Sequence, residues 1–194
     1  RVWYAADNVF GLGGRELGYT DGTMGLTIEI VPGPEGSSPT GMTVVNDQLL
    51  FAATTAAAGR ELWKTDGTLA GTVLVEDIYP GPADGVFESA SSPVRFFTVP
   101  GSTRALFVAS DGVDGVELWR TDGTASGTVR HADINPLAGS SNPGTPVLAG
   151  NQLSFTASHP TARLALYAMS RTSAWRQSGN ACPVTGGLVP DNSA

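Results

Sequence analysis

The chain has 194 residues, 15% of them charged and 41% hydrophobic, with 25 glycines and 13 prolines. That is long enough to bury a core, rich in turns, and too apolar for a disordered chain. A net charge of −7 with Lys64 as the only lysine excludes the basic patch that nucleic acid requires, and no apolar run is long enough to insert in a membrane.

One cysteine, Cys182, rules out an intrachain disulfide and reads as a small apolar filler or, if exposed, a link to another chain. The chain opens on Arg1 with no charged-then-apolar leader, so a processed product or a fragment is expected.

The predicted elements run as follows. "VWYAA" from Val2 is a short strand of aromatic and branched residues, followed by "GLGG" at Gly11 and then "GRELGYTDGT" from Gly14. No helix follows "GLGG", so its glycines serve a long turn and not a dinucleotide site. A Pro/Gly/Ser loop, "PGPEGSSP", leads to "MTVVN" and then to "LLFAA" from Leu49. Next come "GRELWKTDGTLAGT" from Gly59, "GTVLVEDI", and the loop "PGPADGVFESASSP". The third round is "VRFFTV", "ALFVA", "GVELWRTDGTASGT", "GTVRHADI" and "PLAGSSNP". The fourth is "TPVLA", "LSFTA" and a degenerate "LALYAMSRTSAW".

Aligned on Leu17, Leu62, Leu118 and Leu166, the copies are spaced 45, 56 and 48 residues apart. Each unit reads as loop, strand A, strand B, strand C (the Glu-Leu-Trp run) and strand D. Four antiparallel strands at this period are the signature of a β-propeller blade. The expected fold is therefore all-β: one domain over residues 1–194, with four blades around those leucines. "VPDNSA" followed by "RVWYAAD" matches "VPGSTRALFVASD", so residues 183–194 are expected to complete the first blade and close the ring. The rival readings are a piece of a longer array, or half of an eight-bladed ring of two chains, hence a monomer or a homodimer.

These copies resemble the Glu-Leu-Trp-x-x-Asp-Gly-Thr repeat of large bacterial surface and secreted proteins. The resemblance covers nearly the whole chain and implies a propeller-like fold and an extracellular or cell-surface setting. It implies no activity. Gly18 replaces the tryptophan of the first copy, Val116 replaces the arginine of the third, and the fourth keeps only Leu166 and Thr172.

The motif itself reads as architecture. Asp66-Gly67 and Asp122-Gly123 lie between strands C and D, where Asp-Gly favours a tight hairpin, and Asp21 repeats the pattern. Alternation puts Glu61 with Trp63, and Glu117 with Trp119, on one face of their sheets. The tryptophans are expected to pack between neighbouring blades. The glutamates, once buried, need turn amides, Arg15 or Arg60 as partners. A carboxylate repeated in every blade does not suit a single active site, so no catalytic residue is assigned.

Ligand contacts are expected from the D–A and B–C loops, where the copies differ. Asp7, Thr55, Asp111 and His159 occupy equivalent points there and can converge on a ligand or metal, or each can cap its own loop. "DGVDG", which includes Asp114, faintly resembles a calcium loop without its closing glutamate. Tyr79, Phe87 and Phe10 are candidates for stacking on sugar rings. His131, in a predicted strand D, reads as a surface or edge residue. Calcium or another cation held by backbone carbonyls in a central channel is the one cofactor considered. The function expected is a secreted or surface binding module for a carbohydrate or protein ligand. The alternatives are an assembly unit of a larger surface protein, or a hydrolase or lyase.

Overall fold

The computed structural model describes residues 1–7, 13–86, 96–98, 101–136, 138–150, 152–160 and 163–170. Among them every regular element is a strand, and the strands form four antiparallel sheets. The first sheet holds β1 (Val2–Asp7), β2 (Arg15–Thr20) and β3 (Gly25–Ile28). The second holds β4 (Thr40–Val45), β5 (Gln48–Thr55), β6 (Gly59–Thr65) and β7 (Val73–Glu76). The third holds β8 (Phe97–Thr98), β9 (Ala105–Ala109), β10 (Glu117–Thr121) and β11 (Val129–Ala132). The fourth holds β12 (Val147–Ala149), β13 (Gln152–His159) and β14 (Arg163–Ser170).

Each sheet is a meander whose strands pair in chain order, as the repeat predicts. Two expectations fall outside the described residues: the first blade's strand A, placed at residues 183–194, and the fourth copy beyond Ser170. "VRFFTV" forms only a two-residue strand among the described residues, β8.

The core lies between sheets, because strands with apolar residues on both faces must be covered on both sides. Leu17 and Ile28 of the first sheet cluster with Leu49, Phe51 and Ala53 of the second. Leu50, Ala52 and Leu62, on the other face of the second sheet, cluster with Val86, Phe107 and Trp119 of the third region. Leu106 and Leu118 cluster in turn with Leu153, Phe155 and Tyr167 of the fourth sheet. Trp63 and Trp119 both pack towards the preceding sheet, the role expected of them.

One pairing irregularity decides a residue's fate. Between Leu62 and Trp63 the register of β6 against β7 shifts, and it shifts again between Leu118 and Trp119 against β11. Leu118 faces Ala132 and Trp119 faces Arg130, so His131 is the extra, bulged residue. A bulge breaks strict alternation and turns two neighbours the same way. His131 and Ala132 are consequently both buried, at 5% and 7% exposure. The expected surface histidine lies in an edge strand but is not on the surface. Burial, with the charge of Arg120 adding to it, pushes its pKa down to about 4.

Candidate functional site

The repeated glutamates build the first polar feature. Glu61 is fully buried, and its two carboxylate oxygens accept the amides of Ile78 at 3.0 Å, Tyr79 at 3.2 Å and Gly85 at 2.8 Å. Glu117 accepts Ile134 at 3.0 Å, Asn135 at 3.3 Å, and both the amide and the hydroxyl of Ser141, at 3.0 and 2.6 Å. Glu16 does the same for Ile30, Val31 and Ser37. In each case the carboxylate pins the loop that leaves one sheet for the next. The loop is then tied onward: Ser110 donates to Gly85 O, and Ser158 donates to Ser141 O. Of the partners weighed from sequence, turn amides win. The Arg60 guanidinium instead reaches Ser38 O and the Thr54 and Thr40 hydroxyls.

The leading glycine of the motif has a role of its own. Gly59 has φ +64°, and a Cβ there would overlap the Ala83 carbonyl in the loop after β7 that Glu61 pins. Only glycine permits both the conformation and the approach.

Asp66 and Asp122 serve their own turns. Asp66 accepts the amide and hydroxyl of Thr68, both at 2.8 Å, while the Gly67 amide donates to the Thr65 hydroxyl at 2.9 Å. Asp122, Thr124, Gly123 and Thr121 repeat the set, as do Asp21, Thr23, Gly22 and Thr20. The Thr23 hydroxyl and amide hold Asp21 down at about 2, and those of Thr68 likewise depress Asp66. For Asp122 burial pushes upward, but the Thr124 hydroxyl and amide outweigh it. These turns also touch the preceding sheet: Arg1 donates to Asp66 O at 2.8 Å, and Lys64 to Gly123 O at 3.0 Å.

Burial raises the Glu61 carboxyl to about 7 against the pull of its three amides, and raises Glu117 in the same direction. A carboxyl whose folded pKa exceeds its unfolded value binds more protons folded than unfolded between the two. Its stabilising contribution is complete below about 4.5 and is lost as pH rises through about 7. The depressed aspartates act oppositely and withdraw support as pH falls below about 4. Buried neutral His131 opposes Glu61 between about pH 4 and 6.5, where the unfolded imidazole takes a proton. Unfolding free energy should therefore stay near level over that span and decline from about pH 6.5 towards 8, read by urea titration. Glu61→Gln should flatten the alkaline limb, and an unchanged limb in that variant would remove Glu61 as its source.

The loop-face candidates separate into two groups. Asp111 follows β9 and accepts the amides of Val113 and Asp114, both at 2.9 Å. Burial raises its pKa, but those amides and the Arg130 charge carry it below the ordinary value. Asp114 is ion-paired with Arg130, whose guanidinium also lies 3.9 Å from Asp133. Tyr79, half-buried in the loop after β7, lays its ring on Gly112, where any Cβ would collide with it. Tyr79, Asp111, Asp114 and exposed Val113 thus meet where the loops of the second and third sheets abut.

Asp7 and His159 do not join them. Asp7 ends β1 opposite Arg15, and His159 ends β13 opposite Arg163, in different sheets. Thr55 caps its own turn by accepting the Ala58 amide at 3.2 Å. Among the described residues no group of three or more His, Cys, Asp or Glu gathers to hold a metal, so of the two readings of Asp7, Thr55, Asp111 and His159, convergence on a metal is not found. The "DGVDG" acids are engaged by turn amides and Arg130 instead. Phe87, Phe10 and Cys182 lie outside the described residues.

No family model matches the chain, and no curated protein matches it. Among solved structures it is similar to a puromycin hydrolase mutant complexed with PGG. Identity is 13%, the TM-score is 0.50, and the match covers 87% of this chain and 26% of the hydrolase chain. The chain thus spans about a quarter of that structure's length, and at this identity the likeness is one of fold alone.

Proposed function

We propose that the four sheets are blades of a β-propeller of the Glu-Leu-Trp-x-x-Asp-Gly-Thr type, and that the module is extracellular or surface-displayed and binds carbohydrate through one loop face. Three features support the blade reading: meandering sheets, apolar cores between consecutive sheets, and glutamates that pin each crossing loop. The ligand reading rests on one observation, the Tyr79 ring lying over Gly112 beside Asp111 and exposed Val113. An aromatic ring beside a carboxylate suits a sugar, whose C–H faces stack on rings and whose hydroxyls donate to an acid oxygen, Asp111 using only Oδ1 for its turn amides. A protein ligand at the same loops is the second choice.

The hydrolase activity of the structurally similar protein is not carried over. The acids an enzyme would need are occupied, Glu61 and Glu117 by loop amides and Asp66 and Asp122 by their own turns. A glycan array probed with the labelled chain tests the reading. Tyr79→Ala is expected to weaken the best-binding glycan at least tenfold while shifting Tm by only a few degrees. Binding that is indifferent to Tyr79, or absent from every glycan, removes the carbohydrate site.

A further inference from the structure

The residues that join consecutive sheets occupy equivalent register positions. Leu17, Leu62 and Leu118 face the following sheet and are at most 1% exposed. Leu49 and Phe51 face the preceding sheet and are at most 4% exposed. Strand pairing identifies their counterparts in the two terminal sheets. Leu166 sits opposite Thr156 as Leu62 sits opposite Ala52. Val2 sits opposite Thr20, and Tyr4 opposite Gly18, as Leu49 and Phe51 sit opposite Thr65 and Trp63. These counterparts are not covered. Leu166 is 64% exposed, Leu164 beside it 69%, Val147 64% and Val2 66%, and no apolar cluster among the described residues joins the fourth sheet to the first.

The fourth sheet therefore presents a face built to receive a following sheet, and the first presents a face built to receive a preceding one. We infer that these are the two halves of one interface, and that what covers them is a second copy of this chain. The fourth sheet of each copy stacks on the first sheet of the other. Two such contacts, heterologous and of the kind already formed three times within the chain, close a ring of eight sheets. The occupant follows from continuity: the missing contact repeats an interface this chain makes with itself, and another copy supplies both missing faces at once, whereas the first and fourth sheets of one chain share no apolar cluster among the described residues. Left open, leucines and valines at this exposure form a patch of the sort that drives association. The inference rests on the blade reading above but not on the carbohydrate reading.

Native mass spectrometry on the full chain tests it. The wild-type protein is expected at twice the 19.9 kDa chain mass. Leu166→Glu and Val2→Glu alter residues that are exposed within one chain, so each variant should keep its β-sheet circular dichroism and run as a monomer. Mixed in equal amounts, the two variants should form a heterodimer. The intact fourth sheet of the Val2 variant then meets the intact first sheet of the Leu166 variant. A monomeric wild-type chain overturns the inference in favour of closure within one chain. A dimer broken by only one of the substitutions overturns it in favour of a two-fold contact of like faces. A monomer that still binds its glycan through Tyr79 would sink the ring alone, and a dimer that binds no glycan would sink the ligand reading alone.

Discussion

Glu61→Ala is expected to lower the unfolding free energy by about 4 kcal/mol, a large share of what holds a domain of this size folded. The carboxylate is fully buried and accepts three backbone amides, from Ile78, Tyr79 and Gly85. Removing it orphans the Ile78 and Tyr79 amides, while the Gly85 amide keeps the Arg60 carbonyl at 3.1 Å, and each unsatisfied buried donor costs about 1–3 kcal/mol, less where water enters the space left behind. Above pH 7, where the carboxyl is ionised, Glu61→Gln should cost roughly half as much, because one oxygen still accepts while the new NH2 faces a donor. Urea unfolding with both variants reads the difference directly. If Glu61→Ala were as stable as wild type, the carboxylate would not be a loop anchor, and a chemical role for it would have to be reconsidered.

That result bears on why the repeat was readable from sequence. Glu-Leu-x-x-Thr-Asp-Gly-Thr recurs because the same backbone donors recur, and nothing but a carboxylate at that point reaches all of them. The Glu61–Ile78 and Glu117–Ile134 bonds both span 17 residues, and Glu16–Ile30 spans 14, because the first copy lacks the bulged residue and its turn is shorter, Tyr19 facing Leu26 where Lys64 faces Val73. Sequence alone showed the order of strands and the sheets they form, since short apolar runs, Asp-Gly turns and a repeated motif are local signals. It did not show the bulge that buries His131. A single inserted residue leaves the apolar pattern looking like an ordinary strand. Nor did it separate Glu61's amide partners from Arg60, because that choice depends on where a loop 17 to 24 residues away returns.

The candidate site was legible only in part, for a related reason. Positions equivalent in the repeat, Asp7, Thr55, Asp111 and His159, share a place on their own sheets, and equivalence by repeat is not proximity in space. What the fold brings together is a residue of one unit with a residue of the next: Tyr79 with Gly112, Arg1 with the Asp66 carbonyl, and Lys64 with the Gly123 carbonyl. Such offsets between neighbouring units become visible only when the stacking of sheets is known. The glycine at position 112 carried a faint signal, since it stands in a turn at φ +80°, but nothing in the sequence names the ring that covers it.

Trp119→Ala is expected to cost about 3–5 kcal/mol, and Trp63→Ala clearly less, roughly 2 kcal/mol. Both indoles pack towards the preceding sheet, but Trp119 is 8% exposed and belongs to the buried cluster with Leu50, Leu62 and Phe107, whereas Trp63 lies only partly buried at the edge of its own. The cost of truncation follows the volume that cannot refill, so burial sets the order of the two. Trp119→Phe should recover most of the loss, because the Trp119 Nε1 has no hydrogen-bond partner to forfeit. The first sheet supplies a natural control: Gly18 stands in the tryptophan's place and the Tyr4 ring lies directly on it, leaving no room for an indole. Since Trp119 bridges the second and third sheets, its removal should also weaken their coupling, seen as a lower m-value in urea as the two halves unfold separately. Equal costs at Trp63 and Trp119 with unchanged m-values would mean that the sheets are held by their crossing loops and not by these indoles, and the glutamate anchors would then carry the cohesion between sheets.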